Sequence, residues 1–205
     1  MLSEGIKVFG KTFDEKREYL AKIAGEIFLE RGYKESSLSD VSKKGKISKA
    51  GIYHYFKAKE DILAHILITN TENGVSELNQ CIDECTRNGL PEDEAFKELV
   101  RIYAKFLLEN RKTAMLVLRE RHQLTGKNKA KLLEMEREIF DIFRSQLKKI
   151  PYLNDTYNPT AISFLLIAMN HWMGYWYKDS GKCTWESLID QNIDLIFNGL
   201  NKKGG

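Results

Sequence analysis

The stretch SLSDVSKKGKISKAGIYHYFKAKEDIL, Ser37 to Leu63, predicts two short helices separated by a tight turn. Ser37 and Asp40 have the spacing of a capping box, in which each side chain accepts a hydrogen bond from a backbone N–H at a helix start. The Lys-Lys-Gly-Lys segment predicts a turn, with Gly45 adopting a positive φ, and Ser48 is placed to cap the second helix. Two short helices joined in this way are typical of a helix-turn-helix, whose second helix can lie in a major groove.

The charge of this stretch favours contact with nucleic acid. Between Val41 and Lys59 there are six lysines and no acidic residue. Residues 1–62 contain 13 Lys and Arg against 10 Asp and Glu, whereas residues 63–205 contain 19 of each. The net charge of +3 therefore comes from the helix-turn-helix end, where a phosphate backbone would be met.

The composition predicts an all-α protein with about nine helices. The chain has 205 residues, three prolines and 42% hydrophobic residues, and its amphipathic stretches are long. We expect a helix-turn-helix domain over residues 1–62 and a ligand-binding and dimerisation domain over residues 63–205. No apolar run approaches about 18 residues and no targeting signal is evident, so we expect a cytoplasmic protein without a membrane span.

Several chemistries are not indicated by the sequence. There is no glycine-rich phosphate loop and no nucleophile elbow, so an enzyme is not expected. The three cysteines, Cys81, Cys85 and Cys183, favour buried structural thiols over a metal site.

Periodicity and breakers predict the helix boundaries. Gly32 should end a first helix, and a long helix should begin at Lys59 and reach residue 71, with an extension to residue 87 left open. Asn158-Pro159 and Thr184 are start signals for the last two helices. The predicted helices outside the motif cover residues 14–31, 59–71, 91–110, 113–124, 128–150, 159–177 and 185–200.

Residues Glu18 to Leu63 resemble the DNA-binding domain of the TetR family of one-component regulators. The matching pieces are the helix YLAKIAGEIFLERGY, Ser37, the run ISKAGIYHYF and the run KEDIL. Gly-x-Tyr-x-Tyr-Phe followed by Lys-Glu is more specific than a helix-turn-helix alone. The chain departs from the family where the turn is more basic and where Ala58 replaces a capping side chain, which should leave the start of the next helix less firmly held.

The resemblance and the helix-turn-helix motif together predict which residues contact DNA. Lys49 and His54 are candidates for base contact, assisted by Ser48. Tyr55 and Lys59 are predicted to contact phosphates. For Tyr53 the sequence leaves two roles open, packing in the core and contacting the DNA. The complete predicted set is Ser37, Lys46, Ser48, Lys49, Ala50, Tyr53, His54, Tyr55 and Lys59.

A second informative cluster surrounds Asn170 and His171. Trp172 and Trp176 are i, i+4 neighbours on one helical face. They can belong to the core or a dimer interface, because large aromatic residues supply much of the contact area in both. They can also line a ligand cavity in which Asn170 or His171 orients the ligand. The sequence leaves both interpretations open.

Residues 119–200 resemble the ligand domain of TetR-type repressors of fatty-acid and sterol-side-chain breakdown, which respond to acyl-CoA thioesters. The resemblance rests on Arg119-x-Arg121, on Asn-x-Trp-x-x-x-Trp-Tyr-x-x-x-Gly at 170–181 and on Gly199-Leu200. It implies an apolar tunnel for the acyl chain and cations for the phosphates. The predicted ligand-binding set is Phe106, Arg119, Arg121, Phe143, Met169, Asn170, Trp172, Met173, Trp176 and Tyr177.

These observations predict a homodimeric TetR-like repressor that dimerises through its last two helices. It should bind a palindromic operator with half-sites about 10 base pairs apart, or a multiple. No cofactor or metal is expected, and the predicted effector is a long-chain acyl-CoA. The alternatives are a repressor of drug efflux or other metabolism that responds to an aromatic or apolar molecule, an activator, and a helical acyl-ligand-binding protein.

Overall fold

A computed structural model describes residues 12–152, 158–178 and 180–200, and these residues form helices and their connections. The all-α prediction is confirmed. The described helices are α1 (Phe13–Arg31), α2 (Leu38–Gly45), α3 (Lys49–Tyr53), α4 (Lys59–Arg87), α5 (Glu92–Glu109), α6 (Arg111–Glu120), α7 (Gly126–Leu147), α8 (Pro159–Trp176) and α9 (Trp185–Leu200), with one 3-10 turn at Arg121–Gln123.

The predicted capping residues lie at the starts of their helices and accept hydrogen bonds from backbone N–H groups there. The Ser37 hydroxyl accepts from the N–H of Asp40, and the Asp40 carboxylate accepts from the N–H of Ser37 at 2.9 Å. Ser48 accepts from the N–H of Gly51 at 3.0 Å, Asn158 from Thr160 at 2.9 Å and Thr184 from Ser187 at 3.2 Å. Each of these bonds satisfies a backbone donor that the first turn of a helix leaves unpaired.

Three local predictions differ from the structure. Gly45 is the last residue of α2, and Lys46 takes the left-handed conformation with φ 50°. The predicted helix over 113–124 ends at Glu120 and continues as the 3-10 turn. The start of α4, expected to be less firmly held because Ala58 has no capping side chain, is held by a hydrogen bond of 2.9 Å from the Ala58 N–H to the Asp61 carboxylate.

Two clusters of buried apolar side chains organise the molecule, and α4 contributes to both. The first cluster joins α1–α3, which we call the head, to the first turns of α4. It also includes Leu116, Val117, Leu124 and Leu132 from α6, α7 and their connection. The second cluster fills the space between the later turns of α4 and α5–α9, which we call the body. Because α4 runs unbroken for 29 residues, one continuous helix connects the two clusters.

Polar contacts also join the head to the body. The Glu120 carboxylate accepts from the N–H of Tyr33 at 3.3 Å, and Arg119 donates to the carbonyl of Leu29 at 3.2 Å. At the start of α4, next to the head, the Glu60 carboxylate accepts from the N–H of Thr125 at 2.8 Å. The end of α6 and the start of α7 are therefore the parts of the body that touch the head.

Candidate DNA-reading surface and effector site

The short helix α3 is held to the head by its apolar residue and presents its polar residues to solvent. Ile52 is fully buried in the head cluster. A Cβ at Gly51 would lie 2.7 Å from a side-chain carbon of Ile47, so this close approach of α3 to the preceding turn requires glycine. Tyr53 is 54% exposed, which places its ring on the outside of the head.

The predicted DNA-contacting residues share an exposed position with two exceptions. Seven of them have solvent-exposed side chains: Ser37, Lys46, Ser48, Lys49, Ala50, Tyr53 and His54. The other two, Tyr55 and Lys59, are partly buried. The structure therefore leaves most of the predicted residues on and around α3 accessible to solvent.

An aromatic cluster that the sequence did not reveal supports His54. The ring of Phe13, the first residue of α1, lies 5.6 Å from the His54 ring and 4.8 Å from the Tyr55 ring, centroid to centroid. The His54 and Tyr55 rings meet edge to face at 5.0 Å. Such contacts restrict the ring orientations. Phe13 is separated by some 40 residues from its partners and occupies no recognisable motif, so sequence spacing offered no signal.

Lys59 has a different environment from the one predicted for a phosphate contact. Its ammonium donates to the carbonyls of Tyr33 and Ser36, both at 2.7 Å, and lies 3.4 Å from that of Lys34. It also lies 4.2 Å from the centroid of the Tyr33 ring, and burial lowers the pKa of Lys59. Because its N–H groups already have acceptors, Lys59 closes the loop between α1 and α2 in this structure.

The other lysines of the motif differ in whether a carboxylate already pairs with them. Lys44 is paired with the carboxylates of Glu26, at 3.0 Å, and Glu30, at 3.5 Å. Within the described part of the chain, the structure shows no ion pair for the remaining four. These are Lys43, Lys46, Lys49 and Lys57. These four solvent-exposed cations leave positive charge along the chain from α2 to the residues that follow α3.

The body buries part of the predicted ligand set. Phe106, Phe143, Asn170 and Met173 are buried among α5, α7 and α8, and Met169 and Tyr177 are half-buried.

By contrast, Arg119 and Arg121 are exposed. Arg119 donates to the carbonyl of Leu29 and Arg121 is paired with Glu136, so both arginines lie where α6 approaches the head and α7.

Trp172 and Trp176 lie outside the packed interior of the described chain, and their role in lining a ligand cavity stays a prediction. They are 63% and 48% exposed and lie on the outer side of α8. Phe164, Leu165 and Tyr175 are exposed on the same side, and Tyr175 stacks on Trp172 with ring centroids 5.0 Å apart. We call these five residues the outer stripe. Because α8 is apolar on all sides, its sequence could not indicate which face the body would cover.

A neutral polar pair lies on the inner side of α8. The Tyr103 hydroxyl and His171 Nε2 are 2.9 Å apart. Burial raises the pKa of Tyr103 and lowers the pKa of His171 to about 4, so both side chains are uncharged near neutral pH. Tyr103 was missed from the sequence because it falls on an ordinary apolar stripe of α5, 68 residues from its partner.

The cysteines lie in two environments. Cys81 and Cys85 are buried with their sulfur atoms 4.0 Å apart, and burial raises the pKa of the Cys81 thiol to about 12. A thiol in this state is a poor nucleophile. Cys183 is exposed. Among the described residues, no three His, Cys, Asp or Glu side chains are grouped so that they could hold a metal ion.

Comparison with known proteins defines the class of this molecule. Residues 22–66 match the model of the bacterial regulatory proteins of the tetR family, and residues 89–200 match that of the tetracyclin repressor-like C-terminal domain. Because these matches cover more than half of the chain, the protein belongs to the TetR family of ligand-responsive, DNA-binding transcriptional regulators. No helix in the described ranges is long and apolar enough to cross a membrane.

Individual relatives match most of the chain or a shorter part of it. The transcriptional repressor KstR2 of Rhodococcus jostii is 22% identical over 191 residues, which cover 90% of this chain and 91% of that protein. The transcriptional activator FasR of Mycolicibacterium smegmatis is 29% identical over 75 residues, 37% of this chain and 34% of that protein. The chain therefore spans about a third of FasR. These relatives are transcriptional regulators, not enzymes.

Solved structures share the fold. AibR in complex with isovaleryl coenzyme A and operator DNA has a TM-score of 0.77 and 21% identity, over 89% of this chain and 98% of that one. The ketosteroid regulator KstR2 of Mycobacterium tuberculosis has a TM-score of 0.81 and 15% identity, over 92% and 96%. At these identities the likeness shows the arrangement of helices.

Proposed function

We propose that the protein is a cytoplasmic, homodimeric repressor of lipid or fatty-acid metabolism genes that leaves its operator when it binds a long-chain acyl-CoA. It acts without catalysis and without a cofactor. Residues 1–62, which contain the head, read DNA, and residues 63–205 bind the effector and the second subunit. The observation that carries the DNA-binding part is the exposed surface of α3, flanked by lysines for which the structure shows no ion pair.

The dimer is supported by the outer stripe. Five large apolar side chains are exposed along one side of α8, and Leu195 of α9 is exposed as well. Monomeric proteins rarely leave such a continuous apolar surface in water. A second copy is the occupant we favour, because the same faces of α8 and α9 can pair about a twofold axis. Two heads in one dimer then match the two halves of a palindrome.

Two observations support the proposed acyl-CoA response: the residues on the inner side of α8 and the similarity of the fold to that of AibR. The inner side of α8 combines buried apolar residues with a few polar groups, which is the composition of a ligand site. AibR, which shares the fold, is described in complex with isovaleryl coenzyme A. Release would follow if the ligand favours a head spacing that differs from the operator-bound one, since only differential affinity shifts such an equilibrium.

Alanine substitution of Lys49 or His54 tests the reading surface. Each variant should lose about 1–3 kcal/mol of binding energy on the operator and little on random DNA, because a base contact is made only at the right sequence. The operator is first selected from fragments of the DNA flanking the gene. Gel-shift titrations on operator and on scrambled duplex then measure the effect. Equal losses on both duplexes would assign these residues to the phosphate backbone.

Titration with palmitoyl-CoA tests the effector. It should dissociate the operator complex and raise the melting temperature of the free protein, because a ligand at about 100 times its Kd stabilises the native state by about 2.7 kcal/mol. Coenzyme A alone serves as the control for its charge. If an uncharged aromatic drug released the operator and palmitoyl-CoA did not, the drug-responsive alternative would replace this proposal.

A further inference from the structure

The inner side of α8 borders open space at Gly174. This residue is buried, yet a Cβ built on it would meet no heavy atom within 4 Å beyond its own helix and chain neighbours. Interiors are normally packed closely enough that such a position has neighbours. Asn170 and His171 precede Gly174 by four and three residues, so their side chains emerge on the same side of the helix. The open space therefore lies beside these two polar residues.

Asn170 contributes an acceptor that no group of the described chain uses. The residue is 0% exposed. Its amide nitrogen donates to the carbonyl of Leu166 at 2.8 Å, whereas its Oδ1 has no hydrogen-bond partner. The bond to a carbonyl determines which end of the amide is the nitrogen, so the free atom is the oxygen. Buried polar atoms are nearly always paired, and an unpaired one needs an explanation.

The polar pair next to this acceptor is uncharged near neutral pH. Tyr103 and His171 form the neutral pair, with their rings meeting edge to face at 5.9 Å. The charged group that acts on Tyr103 is Glu136, a carboxylate that is already paired with Arg121. A ligand carboxylate in this buried space would lose its hydration, and the neutral pair would not replace it with a counter charge.

We infer that Asn170 Oδ1 is the anchor for a neutral hydrogen-bond donor of the effector, an amide N–H, with apolar atoms of the ligand in the space beside Gly174. The inference deepens the proposed function and rests on it. The arm of an acyl-CoA next to its thioester carries secondary amides and no charge, so it satisfies these conditions. A free fatty acid offers only a carboxylate at its polar end. The site should therefore select the thioester over the acid.

Two small thioesters measure the contribution of the amide N–H donor to binding. S-octanoyl-N-acetylcysteamine has one amide N–H, and its N-methylated counterpart carries a methyl group in place of that hydrogen. The full-length protein should bind the first about 10-fold more tightly than the second, which is the loss expected for one hydrogen bond to a buried acceptor. Calorimetric titration measures both affinities without DNA, and octanoate should not compete.

Variants connect this selectivity to the named residues. Asn170→Leu should bind both thioesters equally and weakly while keeping its melting temperature, because it removes the unpaired polar atom. Gly174→Leu, which fills the open space, should block both ligands. Asn192→Leu is the matched control: Asn192 is a buried asparagine on α9 whose side-chain atoms also have no partner, and its replacement should keep the 10-fold preference.

The possible outcomes separate the two proposals. If palmitoyl-CoA releases the operator but the wild type does not distinguish the two thioesters, or Asn170→Leu keeps the preference, this inference is wrong and the proposed function stands. If the wild type binds neither thioester and palmitoyl-CoA does not release DNA, both are wrong.

Discussion

Trp172→Glu is expected to convert the protein to a monomer and to weaken operator binding at least about 100-fold. Trp172 is 63% exposed near the middle of the outer stripe and stacks on Tyr175. A glutamate there would bring two carboxylates into an apolar interface in the dimer, which is strongly unfavourable without counter charges. A dimer gains its affinity by binding two half-sites from one molecule, and avidity of this kind commonly exceeds about 100-fold.

Sedimentation measures the mass of the variant, and gel shifts measure its affinity for the operator. Because Trp172 touches little of the body, the helical content by circular dichroism should not change. Leu90→Glu is the control, since Leu90 is an exposed apolar residue between α4 and α5 and lies outside the outer stripe. If Trp172→Glu remained a dimer with normal operator binding, the outer stripe would not be the subunit interface.

Lys59→Ala is expected to lower the free energy of unfolding by about 3 kcal/mol. The substitution removes two charge-assisted hydrogen bonds of 2.7 Å to the carbonyls of Tyr33 and Ser36, and the cation above the Tyr33 ring. Hydrogen bonds to charged groups contribute about 1.5–3 kcal/mol each when buried, and the partial exposure of Lys59 reduces this. Urea unfolding of the wild type and the variant measures the difference.

Lys57→Ala is the matched control, two residues away. Lys57 is exposed, and the described structure shows no ion pair for it, so its loss should leave stability unchanged. It should lower the salt dependence of DNA binding by about one unit, as the loss of one phosphate contact does. A stable Lys59→Ala protein with that same reduced salt dependence would instead support the predicted contact between Lys59 and a phosphate.

Local signals were sufficient to predict the secondary structure. Ser37, Ser48 and Thr184 cap their helices as predicted, because the cap and its N–H partner are three residues apart in the chain. The helix-turn-helix was recognisable for the same reason, since its turn, caps and apolar spacing are all contained in a short segment. The exposed positions of Lys49 and His54 followed from the apolar spacing around Ile52.

The local sequence did not predict which residue of the turn between α2 and α3 has the left-handed conformation. Gly45 was the natural choice for a positive φ, yet Lys46 has it. Gly45 is instead buried, and its missing Cβ would lie 3.4 Å from a side-chain carbon of Ile23 on α1. The packing of α2 on α1 therefore determines where the turn begins, and the sequence of the turn does not contain that information.

Tertiary structure alone decided the roles of Lys59, Tyr103 and Trp172. Lys59 binds carbonyls 23 and 26 residues earlier, and Tyr103 meets His171 68 residues later. Such contacts depend on how helices pack. Trp172 is exposed because α8 offers apolar residues on every side and the body can cover only one of them. The sequence by itself determined the helices and the charge of the head, since both depend on neighbouring residues. Which side of each helix faces the core, the DNA or a second subunit was decided by packing between helices distant in the chain.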